Sequence, residues 1–393
     1  MTFTAQLLSS QISDCQSPTP TLSLRQLTLF NFRNYGDLRL VLDASPVVLT
    51  GPNGSGKTNL LEAVSLLVPG RGLSRAVSSQ WQNQRASTPW AVAAHLDTPE
   101  GETLIGTGRN PLDPQNDRRV VQIDGMPVRS QQALAEHVAM TWITPDLDRV
   151  LANGPSARRR LLDRMAYSFD PSHIGRVHRY DKALRGRLRL LRDGVTDAAW
   201  LAALEDEMAR TGVAIAAARR HLLDRLRSAI SETQSVFPRA LLTLRGAVEE
   251  KLENQPALLV EDFLRDELAK ARIDDSQNGT CSVGPHRSDL EVIHQAHHCP
   301  ADMCSTGEQK ALLVAMMLAY VRTLAKVRQM KPLFLLDDIT AHMDHYRREA
   351  LFEEILALGL QAWMTGTDAA DFEPFLSQSQ HFSVEEAVVT SLN

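Results

Sequence analysis

Features that mark exported and membrane proteins are scarce in this sequence. Only 4 of its 393 residues are cysteines, too few and too unevenly placed for a secreted disulfide framework. No apolar run approaches the ~20 residues that cross a bilayer. The N-terminal stretch also lacks the basic start, apolar segment and cleavage site of a signal peptide. We therefore expect a protein of the reducing cytoplasm that has no membrane partner.

An excess of positive charge is also missing from the chain as a whole. The 42 basic and 47 acidic residues give a net charge of −5, which taken alone argues weakly against nucleic-acid binding. That total hides a local bias, because residues 158–230 hold 16 Lys or Arg against 9 Asp or Glu. The segment carries +7 and the remainder of the chain −12, so nucleic acid stays a possible partner.

The length of the chain predicts two or three domains, and composition suggests where they divide. Residues 1–21 are rich in Ser, Thr, Gln and Pro and are predicted to be a flexible extension. Residues 22–154 are predicted to form one segment, with a first turn at Asn34–Asp37, mainly β structure over residues 88–150 and a hairpin at Asp124-Gly125. Residues 155–275 have helical apolar spacing up to a polar loop at 274–279, and residues 276–393 follow as a third segment.

The strongest motif is a complete phosphate-binding loop of the form G-x-x-x-x-G-K-[ST]. It reads Gly51-Pro52-Asn53-Gly54-Ser55-Gly56-Lys57-Thr58 and lies between an apolar strand and an amphipathic helix. Its glycines let successive backbone N–H groups face a phosphate. Lys57 is predicted to reach the β- and γ-phosphates of ATP, and Thr58 to ligate Mg²⁺.

A buried strand that ends in two acids supplies the carboxylates that such a loop requires. Residues 332–336 are apolar apart from proline and run directly into Asp337 and Asp338. Asp337 is predicted to coordinate Mg²⁺, and Asp338 to polarise the attacking water. Surface acids at the end of a core strand are the simpler alternative when these residues are taken alone.

A third element precedes that strand. Ser305 and Glu308 have the spacing of a capping box, so a buried helix is predicted to begin here with the backbone of Gly307 exposed. Taken alone, it is better explained as a capped core helix. Its position just before the acid-ended strand matches the order of motifs in ABC-type ATPases.

Together these elements resemble the RecF family of recombination-repair proteins, which are ABC-type ATPases related to SMC proteins. Residues 51–58 resemble a Walker A loop, 304–309 a degenerate ABC signature, 333–338 a Walker B strand and 341–344 a D-loop. Further matches to the family are Phe32-Arg33-Asn34-Tyr35, Pro145-Asp146, residues 155–163, Gly284-Pro285-His286-Arg287 and residues 364–368. The resemblance extends from about Leu22 to Asp368, nearly the whole chain.

The resemblance implies an α/β fold, a P-loop ABC-type ATPase head of mixed sheets and helices with an inserted α-helical domain. It implies a homodimer in which Ser305 and Gly307 of one subunit contact ATP held by the other, with Arg33 as a further nucleotide-binding residue. It also implies DNA at gaps and single-strand/double-strand junctions, the partners RecR and RecO, loading of RecA, and the SOS response. The activity expected is slow, DNA-stimulated, Mg²⁺-dependent hydrolysis of ATP.

Two other functions are compatible with these motifs. One is an ATP-gated DNA-binding scaffold with negligible hydrolysis, and the other is a transporter ATPase subunit. The 254 positions between Gly51 and Ser305 exceed the usual separation in a transporter subunit and are too few for the long coiled coil of SMC proteins. Absence of heptads and of a C-x-x-C hook agrees with a compact insert.

The sequence departs from the general ABC pattern in three places. Asp338 stands where many ABC ATPases have glutamate, although paired aspartates resemble the RecF pattern itself. No Q-loop glutamine can be assigned, and Thr365-Gly366-Thr367 occupies the usual position of the switch histidine. These departures favour slow turnover and do not argue against ATP binding.

Two weaker patterns have both structural and functional interpretations. His294, His297, His298, Cys299 and Cys304 superficially suggest a metal cluster, but their spacing matches no standard zinc pattern. Two groups of basic residues are either solvated helix faces or contacts to DNA phosphates, and the first group could also support the nucleotide site. They are Arg158, Arg159 and Arg160, and the set Arg176, Arg179, Lys182, Arg185, Arg187, Arg189 and Arg192.

Overall fold

The computed structural model describes residues 21–74, 76–110, 113, 117–194 and 197–393. The predicted flexible extension, residues 1–21, lies outside the described residues except for Thr21. The strands of the described ranges are β1 (Ser23–Phe32), β2 (Tyr35–Val41), β3 (Val47–Thr50), β4 (Ala91–Thr98), β5 (Gly101–Arg109), β6 (Arg119–Ile123), β7 (Met126–Pro127), β8 (Met140–Ile143), β9 (Ala240–Arg245), β10 (Asp289–His294), β11 (Cys299–Pro300), β12 (Leu333–Leu336), β13 (Ala362–Gly366), β14 (Gln380–Glu385) and β15 (Val388–Ser391).

Helices cover most of the second half of the chain. They are α1 (Lys57–Ser65), α2 (Leu134–His137), α3 (Pro145–Asp148), α4 (Pro155–Tyr167), α5 (His173–Arg192), α6 (Ala198–Glu232), α7 (Ala247–Lys251), α8 (Ala257–Lys270), α9 (Arg272–Asn278), α10 (Thr306–Arg328), α11 (His345–Leu358) and α12 (Glu373–Leu376). Short 3₁₀ turns lie at Ser78–Trp81, Gln131–Ala133, Ala301–Met303 and Ala369–Phe372. No helix of the described ranges combines the length and apolar character needed to span a bilayer.

The strands form three sheets. A central sheet has the order β15-β14-β3-β13-β12-β8, parallel from β14 to β8 with β15 antiparallel at one edge. An antiparallel sheet has the order β2-β1-β4-β5-β6-β7, and a smaller antiparallel sheet the order β11-β10-β9. These mixed sheets with their covering helices confirm the predicted α/β architecture.

The main core lies around the central sheet. Every residue of β3, β12 and β13 is buried, as expected for parallel strands covered on both faces. Helix α10 packs into the same core and is buried on nearly all sides, so its 23 residues show little amphipathic pattern. Residues Leu222 and Leu226 from the second half of α6 also belong to this core.

A second core forms between α5, α6 and α8. Met208, Val213 and Leu264 are buried there, together with Tyr180 of α5. The 35-residue helix α6 therefore contributes to both cores, with its first half in the second core and its second half in the main one. At ~1.5 Å per residue this helix is ~50 Å long. The helical region around the second core is thus joined to the main core by a shared helix rather than by a linker.

Three local predictions need correction. The first turn lies at Arg33-Asn34 rather than at Asn34–Asp37, because Phe32 already pairs with Tyr35. The region predicted to be wholly helical contains β9, whose alternation of buried and less buried residues has the period of a strand. The polar stretch predicted as a loop is mostly the helix α9, which ends at Gly279 in a left-handed conformation.

The predicted hairpin at Asp124-Gly125 is confirmed. Strands β6 and β7 pair antiparallel across these two residues, with Ile123 opposite Met126. Asp124 and Gly125 both have positive φ angles, 49° and 77°, as a two-residue hairpin turn of this kind requires.

One basic residue of α5 is part of the interior. Arg187 is fully buried and binds two carboxylates, with Nε 2.9 Å from Glu205 Oε1 and Nη1 2.6 Å from Asp275 Oδ2. Arg272 pairs with the other oxygen of Glu205 at 2.5 Å. Arg187 therefore cannot contact DNA, and its predicted place in a DNA-binding face is wrong.

Replacement of Arg187 by alanine should destabilise the protein severely, because Glu205 and Asp275 would stay buried without their partner. We expect a loss of about 3–5 kcal/mol in the free energy of unfolding. Arg185→Ala, two residues away on the exposed face, should change it by no more than about 0.5 kcal/mol. Urea unfolding followed by circular dichroism checks both; equal shifts for the two variants would contradict the structural role of Arg187.

Candidate nucleotide-binding site

The phosphate-binding loop joins β3 to α1 at the edge of the central sheet. Two of its glycines are required by the local geometry. A Cβ at Gly51 would lie 2.2 Å from the carbonyl oxygen of Val384, and one at Gly56, where φ is 119°, would lie 2.6 Å from Tyr35 Oη. Helix α1 begins directly after Gly56, so its free N–H groups and positive dipole end face the loop.

Lys57 folds back over this loop. Its Nζ donates to the carbonyl oxygens of Gly51 at 2.6 Å and Pro52 at 2.8 Å. Burial lowers the pKa of Lys57, while the nearby carboxylates of Asp338 and Asp337 act in the opposite direction. Within the loop, the Ser55 hydroxyl is buried and has no hydrogen-bond partner among the described residues. A long flexible cation and an unsatisfied hydroxyl in one loop fit a phosphate ligand.

The loop is supported from outside by two residues whose role the sequence did not reveal. Asn34 Nδ2 donates to the carbonyl oxygen of Ser55 at 3.1 Å, and Tyr35 Oη donates to that of Gly56 at 3.0 Å. Burial raises the pKa of Tyr35, so the phenol stays a donor. The only signal in the sequence was the family resemblance of residues 32–35, which does not indicate these contacts.

Asp337 joins the loop to the end of β12. Its Oδ1 accepts bonds from Thr58 Oγ1 at 2.9 Å and from Thr365 Oγ1 at 2.8 Å. Burial raises the pKa of Asp337, and the two hydroxyl bonds oppose that shift by stabilising the carboxylate. The structure thus brings together Thr58 and Asp337, the two predicted Mg²⁺ ligands. Hydroxyl and carboxylate oxygens are the donors that Mg²⁺ prefers.

Asp338 occupies a sharp turn immediately after this strand. Its φ is 50°, and its backbone N–H donates to Thr365 Oγ1 at 2.8 Å. Thr365 therefore positions both aspartates, a role that its place at the usual switch-histidine position did not suggest. Lys310 holds the same turn from the other side, through the carbonyl oxygens of Asp338 at 3.4 Å and Ala341 at 2.6 Å.

These residues surround a cleft of ≈ 230 Å³. Its lining includes most of the predicted loop together with both aspartates. The lining residues are Asn53, Gly54, Gly56, Lys57, Thr58, Asn59, Pro145, Asp337, Asp338 and Thr365. Six predicted nucleotide-binding residues do not line the cleft: Gly51, Pro52 and Ser55 of the loop, and Arg33, Ser305 and Gly307 from elsewhere in the chain.

Arg33 is engaged elsewhere in the head. Its Nε and Nη2 donate to the two carboxylate oxygens of Glu62 on α1, at 2.7 and 2.9 Å. The indole N–H of Trp81 donates to the same carboxylate at 2.8 Å. Arg33 thus anchors the turn before β2 on α1, and its role toward the nucleotide stays a prediction.

Helix α10, which begins within the signature-like residues 304–309 and which we call the signature helix, has the predicted capping box. Ser305 Oγ accepts from the backbone N–H of Glu308 at 3.4 Å, and the Ser305 N–H donates to Glu308 Oε2 at 2.9 Å. Ser305 is exposed. Among the described residues, only the side chain of Arg347 and the carbonyl of His342 come within 4 Å of a Cβ built at Gly307. This surface is open to a second molecule.

The two groups of basic residues differ in what they contact. Arg158 forms a two-point ion pair with Asp289 at 2.8 and 2.7 Å, and Arg159 donates to the carbonyl oxygen of Ser288 at 2.6 Å. Both therefore attach α4 to the start of β10, whereas Arg160 is exposed.

On α5, the exposed cations follow one another at intervals of three or four residues, and so share one helix face. They are Arg179, Lys182, Arg185, Arg189 and Arg192. We call this set the α5 basic face. Arg176, which belongs to the set predicted from the sequence, pairs with Asp170 and is only partly exposed.

Comparison with known proteins shows the family of the chain. Residues 23–373 match the family described as RecF/RecN/SMC N terminal domain. A protein of Mesorhizobium japonicum named DNA replication and repair protein RecF is 45% identical over 93% of this chain and 97% of its own length. The protein of that name from Agrobacterium fabrum is 44% identical over 95% of this chain and 100% of its own length.

Solved structures show the same fold. A structure described as the recombination mediator protein RecF with ATP in the RecFOR pathway has a TM-score of 0.81 at 22% identity, covering 95% of this chain and 98% of that one. The Smc head domain from Pyrococcus furiosus has a TM-score of 0.53 at 16% identity, covering 95% of this chain and 97% of that one. The matched length and the identity of the relatives show that the chain belongs to the RecF family of DNA replication and repair proteins.

Proposed function

We propose that this chain is an ATP-dependent DNA-binding protein of recombinational repair and replication-gap processing. The observation that carries the proposal is the convergence of Lys57, Thr58 and Asp337 on one cleft, with Thr365 holding the carboxylate. Relatives named DNA replication and repair proteins support the biological setting, and the solved RecF structure described with ATP supports the nucleotide. Family membership also removes the transporter subunit considered from the sequence.

Binding would begin with the phosphate tail in the loop. Lys57 would exchange its bonds to the Gly51 and Pro52 carbonyls for the β- and γ-phosphates, and the Ser55 hydroxyl would gain a partner. Thr58 and Asp337 would hold Mg²⁺, which would neutralise phosphate charge. The proposal assigns Asp338 to orient and polarise the attacking water, because it lines the same cleft beside Asp337.

A second chain would complete the site. Ser305 and Gly307 lie on an open surface outside the cleft of their own chain. From that position they would not contact a nucleotide bound in that cleft. A head-to-head homodimer would place them, with the N-terminal end of α10, against the γ-phosphate held by the partner. ATP would then stabilise the closed pair and its hydrolysis would release it.

The closed pair would hold DNA, with the α5 basic face supplying phosphate contacts. The proposal also includes recognition of gaps and single-strand/double-strand junctions and cooperation with RecR and RecO. It further includes loading of RecA and a contribution to the SOS response. They are supported by family membership and by the fold shared with a RecF structure described as part of the RecFOR pathway.

Loss of the phosphate-binding cation should abolish ATP-dependent dimerisation. Lys57→Met removes the charge that meets the β- and γ-phosphates, whereas Lys270→Met changes an exposed lysine of α8 and serves as the matched control. Sedimentation velocity with and without ATP checks this expectation. A Lys57→Met protein that dimerises with ATP as well as wild type would contradict the proposed role of the loop.

Complementation provides a sharper test of the shared site. Ser305→Arg should also prevent dimerisation, by blocking the surface offered to the partner's nucleotide. A heterodimer of Lys57→Met and Ser305→Arg chains has one intact composite site, so an equimolar mixture should recover ATP-dependent dimers. If each variant fails alone and the mixture fails too, the two-chain site is wrong even if ATP still binds.

Hydrolysis should depend on Asp338 while dimerisation should not. We expect Asp338→Asn to lower the steady-state rate of ATP hydrolysis by roughly 10²-fold or more, as loss of a general base does. The exposed Asp274→Asn is the control. Equal background rates for wild type and Asp338→Asn, with and without gapped DNA, would instead favour the scaffold with negligible turnover.

Neutralising part of the α5 basic face should weaken the salt dependence of DNA binding. Replacing Lys182, Arg185 and Arg189 with alanine should reduce the slope of log affinity against log salt by up to about 0.9 for each lost phosphate contact. The control replaces three exposed cations on other helices with alanine, namely Arg210, Arg227 and Lys270. An equal change in both triple variants would remove α5 from the DNA interface.

A further inference from the structure

A cluster of metal-ligating side chains lies beside the start of the signature helix, outside the nucleotide cleft. His294 ends β10, His297 lies in the turn that follows, and Glu308 is in the first turn of α10. One ligand atom from each of these three residues lies within 4.8 Å of the other two. The spacing of the His and Cys residues at 294–304 matches no standard zinc pattern, and Glu308 lies outside that stretch of the sequence.

The two histidines are held together by the fold. Their rings meet edge to face with centroids 4.2 Å apart, and the backbone N–H of His297 donates to Nδ1 of His294 at 3.2 Å. His294 is buried, whereas His297 is 59% exposed and can rotate. One imidazole is therefore fixed and the other can adjust to a ligand.

The two carboxylate oxygens of Glu308 face different groups. Its Oε2 accepts from the N–H and hydroxyl of Ser305 in the capping box, both at 2.9 Å. Its Oε1 faces His297, 3.9 Å from Nε2. The capping bonds fix the direction of the carboxylate and leave the oxygen on the histidine side for a further partner.

We propose that His294, His297 and Glu308 bind a divalent transition-metal ion of the zinc class. Two imidazoles and one carboxylate are a ligand set used for Zn²⁺, whereas Mg²⁺ and Ca²⁺ prefer oxygen ligands alone. Zinc bonds of ~2.1 Å place ligand atoms roughly 3.4 Å apart in a tetrahedral site. Rotation of the exposed His297 and small movements of Glu308 would shorten the distances between the ligand atoms from up to 4.8 Å to this value. Water would occupy the fourth position.

The neighbouring thiols are a separate group. Cys299 and Cys304 both lie 3.5 Å from the carbonyl oxygen of Pro300, to which each donates. Neither is among the three residues whose ligand atoms converge. Thiolate ligation is therefore the alternative that an experiment has to separate from ligation by the three proposed residues.

A bound ion would join the β10–β11 turn to the helix that carries Ser305. Since Glu308 holds Ser305 through its other oxygen, the ion would restrict the surface offered to a partner's nucleotide. This consequence rests on the proposed function, but metal binding does not. Metal titrations need no nucleotide, so failure of metal binding and failure of the ATP-dependent dimer are distinguishable.

The first measurement is a Zn²⁺ titration of the full chain against a competing colorimetric indicator. We expect one ion per chain for wild type. His297→Asn and Glu308→Gln should each lower the affinity at least roughly tenfold, since even loss of an indirect partner of a metal ligand costs ~10–100-fold. His298→Asn is the matched control, because His298 is adjacent, exposed and outside the cluster. Asparagine suits its left-handed conformation, where φ is 49°.

The second measurement uses Co²⁺ in place of Zn²⁺. We expect visible d–d bands without a thiolate-to-cobalt charge-transfer band, and the same spectrum from a Cys299→Ser, Cys304→Ser double variant. Equal Zn²⁺ affinity of His297→Asn and His298→Asn, with unchanged circular dichroism in both, would overturn the assignment. So would a thiolate band that disappears in the double serine variant.

Discussion

Three buried parallel strands bring their carboxyl ends to the same side of the central sheet, and the proposed nucleotide cleft depends on their register. Strand β13 lies between β3 and β12, with Gly366 opposite Thr50 and Met364 opposite Leu336. The residues that follow β3 and β12, and the next-to-last residue of β13, therefore meet at one sheet edge. Thr365 can then bond Asp337 and Asp338, which follow β12. Thr58 at the start of α1 bonds Asp337 as well. A shift of one residue would turn these side chains to the opposite face.

Much of this site could be predicted because its signals are local. The loop at 51–58 is specified by glycines that the backbone needs, and the acid-ended strand by its unbroken apolar run. The interior of the helical region could not be predicted in the same way. Arg185 and Arg187 are two positions apart in an equally basic stretch, and only the distant partners Glu205 and Asp275 decide which one is buried. Strand β9 has only six residues and lies between helices, so its alternating pattern is too short to be distinguished from the helical spacing around it.

Within one chain, the start of α10 is bonded to the turn that follows β12, although in the proposed dimer these two segments would serve different nucleotides. Lys310, in the second turn of α10, is buried and bonds two carbonyl oxygens of the turn that begins at Asp338. It also pairs with Asp148 at 3.2 Å, so its charge is balanced inside the head. A displacement of α10 by a partner's nucleotide would move the turn that carries Asp338. In the proposed dimer this contact would couple the two nucleotide sites directly.

Helix α6 fixes the position of the helical region relative to the main core. Its first half packs in the second core through Met208, and its second half in the main core through Leu222 and Leu226. Pivoting of the helical region about α6 would expose apolar side chains on one side or the other, at a cost of about 25 cal/mol for each Å². The α5 basic face, whose helix packs in the second core through Tyr180 and Ala183, is consequently fixed relative to the head. In the proposed dimer, pairing of two heads by ATP would therefore also set the separation of two such faces, and the closed pair would present DNA with a defined surface.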